Sequence, residues 1–151
     1  MENKKCVIGA DIGGTTVKLG LFEEDGTLLE KWEIPTVIEG DGTAVLRDIA
    51  AEIQKCREKH NIPADGILGV GAGIPGPVTA DGVVHRCVNL GWGVFDVRTA
   101  LEETVGLPVV VVNDANAAAM GEAWKGGGRG SENVVFLSLI HISEPTRLAL
   151  I

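Results

Sequence analysis

The sequence is short of the features that mark secreted and membrane proteins. Its three cysteines, Cys6, Cys56 and Cys87, lie far apart and form no C-x-x-C pair, so by themselves they build neither a disulfide framework nor a zinc site. The apolar run from Cys6 to Ala10 is too short for the core of a signal peptide. No apolar stretch approaches the roughly 20 residues that span a bilayer. These absences predict a cytoplasmic protein with no membrane partner.

Clustered basic residues are also missing, since Lys and Arg are scattered and the formal net charge is −8. A protein that binds nucleic acid neutralises phosphates with a basic patch or stripe. Because the sequence has no such stripe, we expect no nucleic-acid partner. What the chain does have is 45% hydrophobic and 23% charged residues over 151 positions, which is typical of one globular domain.

The apolar runs predict an α/β fold that begins with an antiparallel meander. Three strands joined by tight turns are expected at Cys6 to Ala10, Val17 to Phe22 and Thr27 to Ile34. A helix capped by Asp41 or Thr43 should follow, because apolar residues then recur on one helical face: Val45, Ile49, Ile53 and Cys56. The remaining elements should form parallel strands connected by crossover helices. They are a strand at 67–74, a hairpin around 80–82, a helix at 94–105, a strand at 109–112 and a helix at 113–124.

The first motif with chemical content runs from Asp11 to Lys18 and contains a tight glycine turn at Asp11 to Thr16. Its two glycines allow backbone angles that other residues avoid, and their N–H groups can bind an anion such as phosphate. Asp11, at the end of a strand, is placed to hold magnesium directly or through water. A plain hairpin turn with solvated polar residues is the alternative. The residues predicted to bind phosphate are Gly13, Gly14, Thr15, Thr16 and Lys18.

Polar residues follow the apolar strand at 109–112, where the next helix is expected to begin. Asn113, Asp114 and Asn116 place two amides and a carboxylate together at this strand end. One such residue would be explained as a helix N-cap, which contributes about 0.5–2 kcal/mol, but three exceed what a cap needs. Asp114 fits a base that takes a proton from a sugar hydroxyl during a loose phosphoryl transfer.

Two loops between these motifs are weaker signals. Segment 71–78 holds three glycines and two prolines and predicts a rigid turn at a strand end, which on its own is best read as structural. In segment 88–92, Asn89 can hydrogen-bond sugar hydroxyls and Trp92 offers a flat apolar face. A buried tryptophan beside a loop asparagine explains segment 88–92 equally well.

Taken in this order, the motifs resemble the ROK family (repressors, open reading frames and sugar kinases), and most closely its glucokinases. The resemblance covers about residues 5–136. Each segment is weak or moderate alone, and all together are highly specific. The segments are Asp11-x-Gly-Gly-Thr15-x-x-Lys18, Gly73-Ile-Pro-Gly-Pro77, Asn89-Leu-Gly-Trp92, Gly106-Leu-Pro108 and Asn113-Asp-Ala-Asn-Ala-Ala-Ala119.

The resemblance implies the ribonuclease-H-like, actin-like ATPase fold, with residues 1–131 as the N-terminal lobe of a two-lobe sugar kinase and 132–136 as the start of the C-terminal lobe. It implies ATP and Mg²⁺ as cofactors, glucose as substrate and a homo-oligomeric full-length protein. Asp114 would be the general base for the 6-hydroxyl of glucose, and Asp11 would hold the magnesium ion. The implied sugar-binding residues are Gly76, Asn89, Asn113 and Asp114.

Other functions on the same scaffold stay open. Related kinases act on fructose, N-acetylglucosamine or N-acetylmannosamine, and related repressors sense sugars. Such a repressor carries a helix-turn-helix domain in front, for which the ten residues before Asp11 are too few. The presence of Asp11, Lys18 and Asp114 favours a kinase over a bare sugar-binding module.

The last segment, from about residue 137, departs from the family pattern. The family continues with a second glycine-rich phosphate loop and, later, a zinc site and an adenosine pocket, and the sequence contains none of these. Residues 137–147 read instead as the in-frame translation of a transposase adapter used in DNA-sequencing libraries. We therefore expect 137–151 to be an artefactual tail in which His141, Glu144 and Arg147 have no function. We also expect the chain alone to lack kinase activity.

Overall fold

A five-stranded mixed sheet organises residues 5–38, 42–87 and 90–114, the residues that the computed structural model describes. In chain order the elements are β1 (Cys6–Ile12), β2 (Thr16–Glu23), β3 (Leu28–Pro35), α1 (Ala44–Lys59), β4 (Ile67–Ile74), β5 (Val83–Val84), β6 (Phe95–Asp96), α2 (Val97–Val105) and β7 (Val109–Asn113). The sheet has the order β3-β2-β1-β4-β7, and β5 pairs with β6 in a separate small sheet.

The first three strands form the antiparallel meander that the sequence predicts. Across it, Asp11 lies opposite Lys18, and Lys18 lies opposite Glu33. The turn between β1 and β2 is shorter than predicted and comprises residues 13–15 alone. The reason is that the pairing of β1 with β2 continues to the pair Ile12 and Val17, so backbone hydrogen bonding extends both strands beyond their apolar runs.

The other half of the sheet is parallel. β1 pairs in parallel with β4, and β4 pairs in parallel with β7. β1 is therefore central, and its side chains are buried along almost its whole length, as the continuous apolar run indicates. Because the three strands run in the same direction, their carboxyl ends lie at one edge of the sheet, and the polar residues that follow them are neighbours.

Helices α1 and α2 pack against one face of the sheet and against each other. The predicted apolar face of α1 is confirmed: its buried residues are Val45, Leu46, Ile49, Ile53 and Cys56. Thr43 occupies the N-cap position without a capping bond from its side chain, and Asp41 lies outside the described residues. At the other end, Asn61 takes a positive φ of 53° and turns the chain before Pro63. Neither helix is both long and apolar enough to cross a bilayer.

Two further predicted boundaries are wrong. Helix α2 begins at Val97 rather than at residue 94, because Phe95–Asp96 pairs with β5 and the Asp96 carboxylate then caps the helix by accepting from the Thr99 N–H at 3.1 Å. Asn113 is the last residue of β7 rather than the first of a helix. Asp114 is helical, as predicted, while residues 115–124 of that helix, the lobe boundary at 131 and the tail 137–151 lie outside the described residues.

Candidate active site

The carboxyl ends of β1, β4 and β7 bring the two predicted acidic residues to the same edge of the sheet. Asp11 pairs with Gly73 of β4, and Gly73 pairs with Val112 of β7. Neighbouring strands lie about 4.8 Å apart, so the backbones of Asp11 and Val112 are separated by about 10 Å. Asp114 follows Val112 by two residues, at the exposed end of the strand.

The charge on Asp11 is disfavoured by its surroundings. Burial raises the pKa of Asp11 above its ordinary value, the negative charge of Asp114 raises it further, and the positive charge of Lys18 opposes both effects. A divalent cation between two carboxylates would offset this repulsion, and carboxylate oxygens are the ligands that Mg²⁺ prefers. The residues present therefore fit the predicted magnesium ion, with Asp11 as the ligand or as the partner of a bound water.

Hydrogen bonds on two sides fix the turn between β1 and β2. The Gly13 N–H donates to the Thr16 carbonyl at 3.0 Å, and the Thr36 N–H donates to the Thr15 carbonyl at 2.9 Å. The Thr36 hydroxyl donates to the Gly13 carbonyl at 2.7 Å. A Cβ on Gly13 would lie 2.9 Å from the Thr16 carbonyl oxygen. The absence of a side chain at Gly13 thus permits a close backbone approach.

The expected backbone role of the two glycines in this turn is wrong. Six described glycines have a positive φ, and neither Gly13 nor Gly14 is among them. The turn therefore needs no left-handed conformation, and the requirement for glycine at position 13 comes from space alone.

Thr36 is a residue that the sequence analysis missed. It follows β3 and belongs to no motif, and only the register of β2 with β3, in which Thr16 pairs with Pro35, brings it to the turn. A polar residue directly after a strand of the predicted meander was the only available signal, and it is a weak one.

A hydrogen bond joins the end of β7 to the loop after β4. The Asn113 side-chain amide donates to the Gly76 carbonyl at 2.5 Å. Gly76 has a φ of 134°, and a Cβ there would lie 2.9 Å from the Arg86 carbonyl oxygen. Asn113, predicted as a sugar ligand, therefore also positions the loop that contains Gly76.

The loop that should carry Asn89 is closed at its base by a pair of backbone bonds. The Cys87 N–H donates to the Trp92 carbonyl at 2.9 Å, and the Trp92 N–H donates to the Cys87 carbonyl at 3.0 Å. The Cys87 thiol donates to the Pro75 carbonyl at 3.0 Å and so links this loop to the one that contains Gly76. Asn89 itself lies outside the described residues.

Trp92 is a buried structural residue, so its face is not offered to a sugar. Only 4% of it is exposed, and its ring meets Phe95 edge-on with centroids 5.2 Å apart. Its indole N–H donates to the Gly42 carbonyl at 3.0 Å. Gly42, which the sequence analysis also missed, has a φ of 80°, and a Cβ there would lie 2.5 Å from the Leu90 carbonyl oxygen.

Most of the predicted site residues thus lie on neighbouring segments at this edge of the sheet. Thr15 and Lys18 are exposed, and Thr16 is half-buried. The residues that the structure brings together are Asp11, Gly13, Gly14, Thr15, Thr16, Lys18, Gly76, Asn113 and Asp114. This arrangement combines hydroxyls, one cation and two carboxylates, which can hold a phosphate, a divalent cation and a hydroxylated substrate.

Comparison with known proteins matches nearly the whole chain. The sequence profile of the ROK family matches residues 7–141. The glucokinase of Halalkalibacterium halodurans is 40% identical over 133 residues, which cover 87% of this chain and 40% of that protein. The xylose repressor of Caldicellulosiruptor bescii is 31% identical over 134 residues, which cover 88% of this chain and 34% of that protein.

Solved structures share the fold. The crystal structure of a ROK family glucokinase from Streptomyces griseus, in complex with glucose and AMPPNP, matches with a TM-score of 0.68 at 36% identity, over 83% of this chain and 38% of that chain. The predicted fold class, the N-terminal lobe of an actin-like ATPase, is thereby confirmed. The chain spans about 40% of the length of the glucokinase that it matches. On the family match and the shared fold, the chain belongs to the ROK family.

Proposed function

We propose that the protein containing this lobe is an ATP-dependent glucokinase, which transfers the γ-phosphoryl group of ATP to the 6-hydroxyl of glucose. The observation that carries the proposal is the meeting of Asp11 and Asp114 at one edge of the sheet, beside the turn that joins β1 to β2. Phosphoryl transfer to an alcohol needs a phosphate-binding site and a base at one place. The glucokinase relatives support glucose as the acceptor.

Asp114 would act as the general base. It is exposed at the end of β7, where a bound sugar can reach its carboxylate. The carboxylate accepts the proton of the 6-hydroxyl while the bond from that oxygen to the γ-phosphorus forms and the bond to the ADP oxygen breaks. In a loose transition state the proton leaves late, so positioning of the base matters more than its basicity.

The turn between β1 and β2 would hold the phosphates. The hydroxyls of Thr15 and Thr16 and the ammonium group of Lys18 donate to phosphate oxygens, while Asp11 holds the magnesium ion. Mg²⁺, when bound, neutralises charge on the phosphoryl group. Because Lys18 lies directly opposite Asp11, the anion-binding and cation-binding groups are adjacent on paired strands.

The sugar would lie between the end of β7 and the loops after β4 and β5. The Gly76 loop, Asn113 and Asn89 supply backbone and amide groups for its hydroxyls. These loops are joined by the bonds from Asn113 to Gly76 and from Cys87 to Pro75. A pocket built from mutually bonded loops is pre-organised, which lowers the cost of ordering it around a ligand.

Two related functions share this site. A kinase for fructose, N-acetylglucosamine or N-acetylmannosamine would use the same base and phosphate turn. A sugar-sensing repressor is favoured by the match to the xylose repressor of C. bescii, and it would bind a sugar at these loops without transferring phosphate. Phosphoryl transfer therefore separates the kinases from the repressor.

The proposal is tested in a chimaera, since the chain spans about 40% of its glucokinase relative. Residues 1–136 replace the matching segment of the H. halodurans glucokinase, which supplies the second lobe. We expect ATP-dependent formation of glucose 6-phosphate. The ratio of kcat/KM between sugars, compared with that of the parent enzyme, reports what this lobe contributes to sugar choice. A folded chimaera that binds glucose and forms no product would contradict the kinase proposal.

Thr36→Val in the chimaera should weaken ATP binding about fivefold. Valine keeps the branched shape and the backbone bond to Thr15, but it removes the hydroxyl that donates to the Gly13 carbonyl. One hydrogen bond contributes about 1 kcal/mol net, which corresponds to about that factor. The measurement is KM for ATP. Thr104→Val removes a comparable bond to the Ala100 carbonyl on α2 and should leave KM unchanged.

A further inference from the structure

A second group of metal-ligating side chains lies at the far end of α1. Glu30 of β3, Cys56 of α1 and His60, which ends α1, each offer one ligand atom, and these atoms all lie within 4.8 Å of one another. With a rise of about 1.5 Å per residue, Cys56 is about 18 Å along the helix from Ala44. The group is therefore remote from the edge of the sheet that holds Asp11.

The fold brings these three residues together because the side of α1 that holds Cys56 and His60 faces the side chains of alternate residues on β3. Cys56 and His60 are four residues apart, so they lie on the same side of α1. On β3, alternate residues face α1: the Trp32 indole N–H donates to the Glu52 carboxylate at 3.1 Å, and Glu30 lies 2.9 Å from His60 Nε2. The two elements are held in register by these contacts, so the ligand atoms are pre-positioned.

We propose that Glu30, Cys56 and His60 bind one Zn²⁺ or a similar transition-metal ion, with water as the fourth ligand. Carboxylate oxygen, thiolate sulfur and imidazole nitrogen are the ligands that Zn²⁺ takes, at about 2.0–2.3 Å. Ligand atoms in a tetrahedral site of that size lie about 3.3–3.7 Å apart. Small side-chain rotations close the present separation to that range. The sulfur and nitrogen donors disfavour Mg²⁺ and Ca²⁺, which take oxygen.

The surroundings of the cluster act on a bound cation in both directions, since burial raises the pKa of the Cys56 thiol to about 11 while Glu30 supplies a negative charge. The Lys59 ammonium contacts Oε1 of Glu30, which leaves Oε2 towards His60. The contacts of Glu30 with Lys59 and then with His60 hold the pKa of Glu30 below its ordinary value. The side chains of His60 and Glu30 keep 29% and 24% of their exposure, which gives an ion a path from solvent. Binding would release the Cys56 thiol proton to water, as metal–thiolate bonds require.

The site is tested by titrating the complete 151-residue chain with CoCl₂ and then displacing the cobalt with ZnCl₂. We expect one equivalent of Co²⁺, the absorption of a thiolate–cobalt bond, and its loss on addition of Zn²⁺. Cys56→Ser should abolish the thiolate absorption. His60→Gln and Glu30→Gln should weaken binding about tenfold or more, as losses of metal-site partners do.

Matched controls separate this cluster from other donors. His85→Gln, Cys87→Ser and Glu24→Gln remove the same side-chain types elsewhere, and His141→Gln removes a histidine that lies outside the described residues. All four should keep one equivalent of cobalt. His60 and Glu30 are partly exposed, so their variants should keep the fold, which far-UV circular dichroism checks. Absence of stoichiometric binding, or binding that survives His60→Gln and Cys56→Ser or is lost in His141→Gln, overturns the proposal.

Discussion

Asp114→Asn in the chimaera is expected to keep glucose binding and to lose phosphoryl transfer, with kcat reduced by about 10²–10⁴-fold. Asparagine is nearly the same size and still donates and accepts hydrogen bonds, but it cannot take the proton of the 6-hydroxyl. The measurements are kcat from a coupled assay of glucose 6-phosphate and the dissociation constant of glucose from calorimetry. Retained glucose binding with lost turnover is expected if Asp114 is the base, and is not expected if it only binds the sugar.

The control for this variant is Asp81→Asn, which removes an exposed carboxylate from the turn between Thr79 and Gly82. It should change neither kcat nor the affinity for glucose. If Asp114→Asn kept full turnover, the assignment of the base would be wrong. If glucose binding and turnover were lost together, Asp114 would be needed mainly to bind the sugar. The general base would then have to be a different carboxylate.

Gly76→Ala is expected to lower the free energy of unfolding by about 1–3 kcal/mol and to raise KM for glucose. The residue has a φ of 134°, which a side chain strains, and the new Cβ would lie 2.9 Å from the Arg86 carbonyl oxygen. The loop must shift to relieve this contact, and the carbonyl that accepts from Asn113 shifts with it. Thermal unfolding and sugar kinetics of the chimaera measure the two effects.

Two other glycines provide a graded control for that substitution. Gly106 has a φ of 73° and nothing within 4 Å of an added Cβ, so Gly106→Ala carries backbone strain alone. Gly93 has open space around an added Cβ and no positive φ, so Gly93→Ala should be nearly neutral. The expected order of destabilisation is Gly76, then Gly106, then Gly93. A loss for Gly93→Ala as large as that for Gly76→Ala would exclude the proposed cause.

Local pattern was enough to predict most of the fold. The apolar runs marked β1 to β4 and β7, and the helical spacing of Ile49, Ile53 and Cys56 marked the buried face of α1. The start of α2 was wrong because Phe95–Asp96 bonds to Val83–Val84, and a pairing between such distant segments leaves no trace in local periodicity.

The candidate site likewise contains residues that the sequence could identify and residues that it could not. Asp11 and Asp114 could be named from sequence, because polar residues at the ends of apolar strands are visible in the order of residues. Thr36 and Gly42 could not, since their contacts with Gly13 and Trp92 depend on strand register and on tertiary packing. The role of Trp92 could not be decided from sequence for the same reason. The hydrogen bond from its indole N–H to the Gly42 carbonyl shows that it is a buried structural residue.

Strand β4, which lies between the parallel strands β1 and β7, has a further consequence for the proposed chemistry. Paired residues of parallel strands direct their side chains to the same face, so Asp11, Gly73 and Val112 share one. Because residue 73 is a glycine, only main-chain atoms lie at that position between Asp11 and the end of β7 that holds Asp114. A methyl group there would project from the same face, towards the space between Asp11 and Asp114 in which the proposed site would hold the phosphoryl group.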